Sequence, residues 1–226
     1  MSQPLTFYRI QLMDTRSSIL IFWSILAITS IFSLVISFMF ESTNMIMVTT
    51  MPVIIFIAIT SFVSVKGMFP FTIHLGVTRK QYVTHYSIFL VLFTLGLALI
   101  NQLFNFSINV IVDFFHAEQI QFLYLTHFLE MPAYSLNDII IDWMLFLLFG
   151  FVNFFLASLL YRYGKIAVYC VISLCVLIFL IPNVQHSLFK WIQGLVESSA
   201  YPLFIFIPIC FVFALLSYVT LKRSAV

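Results

Sequence analysis

Six long apolar runs, none of which contains an Asp, Glu, Lys or Arg, constrain this chain more than any other feature. A helix crosses the hydrocarbon core of a bilayer with about 20 mostly apolar residues. Of the 226 residues, 63% are hydrophobic and 8% are charged, whereas a soluble domain has about 25% charged residues. A soluble fold could not cover so much apolar surface, and a disordered chain would not be so apolar. The sequence therefore predicts an integral membrane protein.

The runs predict an all-α, polytopic protein with six transmembrane helices, forming one transmembrane domain over residues 1–226. The predicted spans are residues 18–40, 44–65, 86–112, 143–161, 166–182 and 203–221. The third is long enough to tilt or to project from the bilayer. The fifth is expected to break or end near Pro182, because proline interrupts a helix.

The charged residues between these spans separate by sign. If the connecting segments alternate sides, one side holds nine of the ten basic residues: Arg9, Arg16, Lys66, Arg79, Lys80, Arg162, Lys165, Lys222 and Arg223. The other side holds seven of the eight acids: Glu41, Asp113, Glu118, Glu130, Asp138, Asp142 and Glu197. The positive-inside rule then predicts that both termini are cytosolic and that the chain is a multi-pass protein of the cell membrane.

Several kinds of chemistry lack their sequence signals. There is no phosphate-binding G-x-x-x-x-G-K-[ST] motif, no H-E-x-x-H and no C-x-x-C. The five histidines, His74, His85, His116, His127 and His186, share no metal-ligand spacing. A net charge of +2 is too weak to suggest nucleic acid. We therefore expect no enzymatic activity, metal or cofactor in this chain, and expect any transport to draw its energy from a separate protein.

The predicted cytosolic loop at residues 66–82 contains a compact motif. It reads Leu75, Gly76, Val77, Thr78, Arg79, Lys80 and Gln81. Gly76 can end a helix or permit a tight turn, and Thr78 can cap a new helix. The plainer interpretation is that Lys66, Arg79 and Lys80 only flank spans as the positive-inside rule requires.

This motif resembles the leucine-glycine-valine-serine/threonine-arginine segment in the first cytosolic loop of ABC-2 type exporter permeases. The six-span topology extends the resemblance over the whole chain. It implies that the loop couples to a cytosolic ATPase subunit, which holds ATP and Mg²⁺, and that a second permease copy or a paralogue completes the path. The cargo implied is amphipathic or hydrophobic: a peptide, toxin or drug. Within the family the chain resembles permeases of the phenol-soluble modulin exporter, while lantibiotic-immunity and drug-efflux permeases remain open.

The N-terminal residues 1–17 are predicted to form an amphipathic interfacial helix. Leu5, Tyr8 and Leu12 follow helical spacing among charged residues, and ABC-2 permeases have a similar helix before their first span. A frayed basic tail is the alternative.

Polar amides lie within the third predicted span. They are Asn101, Gln102, Asn105 and Asn109. Three of the four are spaced four residues apart and share one helix face, which must meet a partner because an unpaired amide in lipid is costly. The face either joins helices or lines a substrate path. The same two interpretations apply to Asn153 in the fourth span.

The outer loops suggest a second class of function. The segment 113–142 is acidic, which would suit either release of cationic or amphipathic cargo or an ordinary solvated loop. After Pro182, an external helix is indicated by the spacing of Leu188, Trp191, Ile192 and Leu195. The alternative to an exporter is a non-transporting scaffold or immunity protein that acts through these loops.

Overall fold

The structure is a computed structural model that describes residues 3–39, 45–114, 120–122, 136–187, 190 and 206–222. Helix α1 spans Gln3–Met39, α2 Thr50–His74 and α3 Arg79–Phe114. Helix α4 spans Leu136–Tyr163, α5 Lys165–Phe179 and α6 Phe206–Lys222. Two three-residue strands, β1 (Met45–Met47) and β2 (Ile120–Phe122), pair in parallel with Met45 opposite Ile120. The described chain is therefore almost entirely helical.

Four helices are long and apolar enough to cross a membrane. These stretches are Phe7–Ile36, Thr50–His74, Arg79–Phe114 and Asp138–Tyr163. The apolar helices α5 and α6 have 15 and 17 residues, shorter than the length of about 20 residues that a span usually needs. The four long helices indicate a membrane protein.

Three element boundaries differ from the sequence expectations. Helix α1 is continuous, so residues expected to form a separate interfacial helix begin the same 37-residue helix; no Gly or Pro after Pro4 interrupts it. Helix α2 continues past Lys66 to His74, which reduces the expected loop to a short turn. Helix α4 begins at Leu136, so Asp138 and Asp142 are helical rather than part of a solvated loop.

Helix α5 ends where the sequence predicted. Its last residue is Phe179, and helical turns resume at 182–187 after a bend at Ile181. Pro182 thus stands at the first position of the next helical segment, where a missing N–H costs nothing. The external helix expected around Trp191 lies outside the described residues.

The chain divides into two compact units. Unit 1 comprises Met1–Ile57 and Leu92–Phe146, and unit 2 comprises Ala58–Val91 and Leu147–Val226. Helices α2, α3 and α4 each contribute residues to both units.

Aromatic contacts join the helices within each unit. In unit 1 the Phe22 and Phe56 rings stack with centroids 4.5 Å apart, and Trp23 meets Phe104 at 5.5 Å. In unit 2 the rings of three helices meet around buried Phe69. Its ring centroid lies 5.0 Å from that of Tyr82 and 5.1 Å from that of Tyr161.

Candidate functional site: the exposed turn between α2 and α3

Helix α2 ends in a Schellman motif centred on Gly76. The backbone N–H of Gly76 donates to the Ile73 carbonyl over 2.9 Å, and that of Val77 donates to the Thr72 carbonyl over 3.1 Å. These two bonds satisfy carbonyls that a helix end otherwise leaves unpaired. Gly76 has a φ of +85°, a left-handed conformation that glycine adopts at little cost. The glycine expected to end a helix does so.

Helix α3 begins with a capping box two residues later. The Thr78 N–H donates to Oε1 of Gln81 over 3.0 Å, and the Gln81 N–H donates to Oγ1 of Thr78 over 3.3 Å. This reciprocal pair satisfies two donors at the helix start. Thr78 caps the new helix, as the sequence predicted.

The connection between the two helices is short, fixed and exposed. Only Leu75, Gly76, Val77 and Thr78 separate α2 from α3. Leu75 is 60% exposed, and Gly76 and Thr78 are exposed as well. An exposed leucine held between two capped helix ends offers a rigid apolar contact, and we call residues 75–78 the α2–α3 turn.

Arg79 has a partner within the chain. Its Nη1 donates to the Lys222 carbonyl at the C-terminal end of α6, and Nη1 of Arg162 donates to the Thr220 carbonyl over 3.4 Å. A helix C-terminus carries partial negative charge and unpaired carbonyls, so two guanidinium groups there stabilise it. Arg79 therefore serves at least to hold the end of α6, whereas neighbouring Lys80 is exposed.

Charge is distributed unequally between the two units. Unit 2 contains eight of the ten Lys and Arg residues but only one of the eight acids, Glu197. In unit 2 the start of α3, which carries Arg79, and the end of α4, which carries Arg162, both contact the C-terminal end of α6, which carries Lys222. The α2–α3 turn therefore stands beside a group of cationic side chains of unit 2.

Buried polar side chains form a second cluster, in unit 1. Nδ2 of Asn101 donates to Oδ2 of Asp142 over 2.8 Å, and Oγ1 of Thr50 donates to Oδ1 of Asp142 over 3.3 Å. Oγ1 of Thr49 donates to Oδ1 of Asn105 over 2.9 Å. All five side chains are buried. They join α2, α3 and α4, as expected of polar groups that bind membrane helices together.

The other predicted polar residues are Gln102, Asn109 and Asn153. Gln102 is half-buried, and Nδ2 of Asn109 donates to the Asn105 carbonyl of its own helix over 2.8 Å. Asn153 belongs to unit 2, where its Nδ2 donates to the Phe149 carbonyl one turn earlier. Two of the five predicted amides, Asn101 and Asn105, thus form side-chain hydrogen bonds with residues of other segments.

Sequence reasoning missed the burial of two acids: Asp142 of this cluster, and Asp138 one turn earlier on the same helix. Asp142 was expected in a solvated outer loop, as was Asp138, yet both are buried on α4. Their spacing of four residues, directly before the apolar run, is the signal that places them on one helix face.

The described residues offer no evident metal centre. No group of three or more His, Cys, Asp or Glu among them lies close enough to hold a metal ion. Outside the described part of the chain lie Glu41, His116, Glu118, His127, Glu130 and Glu197.

Comparison of the chain with protein-family models, curated proteins and solved structures finds no match.

Proposed function

We propose that this chain is the membrane subunit of an ABC-2-like exporter, driven by ATP hydrolysis on a separate cytosolic ATPase. The motif from Leu75 to Lys80 and the apolar helices support this proposal. The sequence contains no phosphate-binding loop motif, so in this proposal a separate ATPase subunit supplies the energy for transport.

The observation that carries the proposal is the exposed Leu75 on a turn fixed at both ends. A coupling element must transmit movement between two proteins, and a mobile loop would absorb that movement. The Schellman motif and the capping box leave little freedom between α2 and α3. Leu75 supplies the apolar contact, and the cations of unit 2 steer an acidic partner towards it.

In this proposal all six apolar runs cross the membrane with both termini cytosolic. Support comes from unit 2, in which the start of α3, the end of α4 and the end of α6 meet through Arg79 and Arg162. These three helix ends carry basic residues, which the positive-inside rule assigns to the cytosol. The α2–α3 turn then faces the compartment that contains the ATPase.

Two permease subunits, identical or paralogous, form the path, and binding and hydrolysis of ATP move their helices as rigid bodies. The cargo is apolar or amphipathic, because an aromatic-rich bundle stabilises charged solutes poorly. The buried amides of α3 join helices in this scheme, and their hydrogen bonds to Asp142 and Thr49 support that role.

The test is co-purification of the affinity-tagged chain from membranes of its native host in mild detergent. We expect an ATPase with a phosphate-binding loop at a stoichiometric ratio. Leu75→Ser should lower its recovery, whereas Ile166→Ser should not. Ile166 is a matched control because it is 77% exposed and also lies beside a turn of unit 2.

Recovery of a folded chain without any ATPase would contradict the exporter and would favour a scaffold or immunity protein. Equal recovery with Leu75→Ser and with wild type would remove the α2–α3 turn from the coupling role.

A further inference from the structure

Unit 2 contains a half-open groove of about 440 Å³ between α3, α4 and α6. Ligand sites in proteins have volumes of roughly 300–1,000 Å³, so the groove is large enough for a small molecule or an alkyl chain. Its walls are almost entirely apolar, with Leu147, Phe151 and Ile207 among the lining side chains.

Lys80 is the one charged residue that lines the groove, and it lies at one end; the uncharged polar side chains of Thr84 and Ser87 follow it along α3. Along α3 the groove extends from Lys80 to Val91, eleven residues or about 16 Å of helix. Along α6 it extends from Tyr218 back to Ile207. The Arg79 bond to the Lys222 carbonyl places the start of α3 beside the end of α6, so Lys80 and Tyr218 share one end. An occupant with a polar head at Lys80 and an apolar tail towards Val91 matches this gradient.

The end of the groove at Lys80 also carries further positive charge, and the described residues of unit 2 include no Asp or Glu. Lys80 is exposed, and Arg79 and Lys222 lie at the same end. The one acid in the sequence of unit 2 is Glu197, which lies outside the described residues. A Lys or Arg near an anionic membrane surface is worth about 1 kcal/mol in attraction. The head that fits this end is therefore anionic.

The open side of the groove is bordered by exposed apolar side chains. Ile88 is 45% exposed, Phe211 64% and Leu215 48%, and all three line the groove. In a membrane protein such an apolar surface faces acyl chains. The tail of a membrane lipid can enter from this side without leaving an apolar environment.

We propose that the groove is a binding site for an anionic phospholipid, with one acyl chain along α3 and α6 and the headgroup phosphate at Lys80. Lys80 also belongs to the motif, but the exporter assignment does not enter this argument, and lipid retention is measured independently of ATPase recovery.

The test is native mass spectrometry of the purified full chain, delipidated and then titrated with phosphatidylglycerol or with phosphatidylcholine of the same acyl chains. We expect wild type to retain phosphatidylglycerol in preference. Lys80→Gln should reduce that preference about fivefold, the factor equivalent to one lysine near an anionic surface. Lys66→Gln removes another exposed cation of unit 2 that does not line the groove, and should change nothing.

A second pair of variants tests the position of the acyl chain. Ala214→Trp fills the groove and should reduce retention of both lipids, whereas Leu216→Trp on the same helix points away from the groove and should not. If Ala214→Trp does not fold, a phosphatidylglycerol with a photoreactive group in one acyl chain gives the same information. After irradiation, adducts on wild type should map to the lining residues of α3, α4 and α6.

Equal retention by wild type and Lys80→Gln would overturn the headgroup assignment. Adducts spread over all exposed helix faces would overturn the site itself. So would an Ala214→Trp variant that changes the oligomeric state of the chain and leaves lipid retention unaltered, because a protein segment would then be the occupant.

Discussion

Asn101 on α3 donates a hydrogen bond to the carboxylate of Asp142 on α4, with 2.8 Å between Nδ2 and Oδ2. Asn101 is fully buried and Asp142 is 7% exposed. Thr50 of α2 donates to the other oxygen of the same carboxylate. One acidic side chain thus receives hydrogen bonds from two other helices and fixes their positions within unit 1.

The first prediction concerns the loss of this donor. Asn101→Leu should lower the free energy of unfolding by about 1–3 kcal/mol, because it removes a hydrogen bond from a buried carboxylate. Thermal unfolding of the purified chain in detergent measures the effect. Asn153→Leu is the control, since the Asn153 side chain donates to the Phe149 carbonyl of its own helix, and it should change stability far less. Equal destabilisation by the two variants would show that the hydrogen bond to Asp142 contributes no more to the free energy of unfolding than the bond of Asn153 within its own helix.

The second prediction separates the shape of Asp142 from its charge. Asp142→Asn should stay within about 1 kcal/mol of wild type, because an amide can still pair with Asn101 and Thr50. Asp142→Leu should destabilise by several kcal/mol, since it leaves buried polar groups without partners. Unfolding of both variants under the same conditions provides the comparison. An Asn variant as unstable as the Leu variant would mean that the negative charge itself holds the cluster.

The third prediction concerns the conformation of Gly76. Its φ of +85° is strained for a side chain with a Cβ atom, although no heavy atom would lie within 4 Å of that Cβ. Gly76→Val should therefore destabilise by about 1–2 kcal/mol through backbone conformation alone. Gly76→Asn should cost less, because asparagine tolerates left-handed φ values. Circular dichroism during thermal unfolding distinguishes them, and an equal loss for both would point to a clash instead of strain.

The fourth prediction concerns the end of α6. Arg79→Gln should raise hydrogen exchange in the last turn of α6, because a cation on the Lys222 carbonyl is lost. A charge at a helix terminus contributes about 0.3–1 kcal/mol, which implies up to a few-fold faster exchange. Lys165→Gln is the control, since Lys165 is exposed at the start of α5. Unchanged exchange in the Arg79 variant would contradict the capping role.

Local signals in the sequence predicted local structure well. Gly76 and Thr78 marked a helix end and a helix start because both motifs act within six residues along the chain. The break before Pro182 followed from the same kind of local rule. Of the six apolar runs, four correspond to helices long enough to cross a bilayer, whereas α5 and α6 are shorter in the described part of the chain.

Long-range relationships could not be predicted in this way. Arg79 contacts a carbonyl 143 residues later in the chain, and no spacing rule reaches that far. Asp142 was assigned to a loop because charge was taken to mark the membrane edge. In the structure, hydrogen bonds from Asn101 and Thr50 compensate its burial, and these partners come from packing. The end of α2 was also placed too early, at the last apolar residue before Lys66. The helix continues to His74, because a helix does not have to end where its apolar run ends.

Our proposal requires that a cytosolic ATPase binds the α2–α3 turn and moves this chain through it. Photo-crosslinking in intact cells, from a photoreactive amino acid placed at Leu75, tests it most directly. We predict one dominant protein adduct whose peptides contain a phosphate-binding loop, absent when the reactive group replaces Ile166. Adducts confined to lipid, or to proteins on the outer side of the membrane, would contradict the claim.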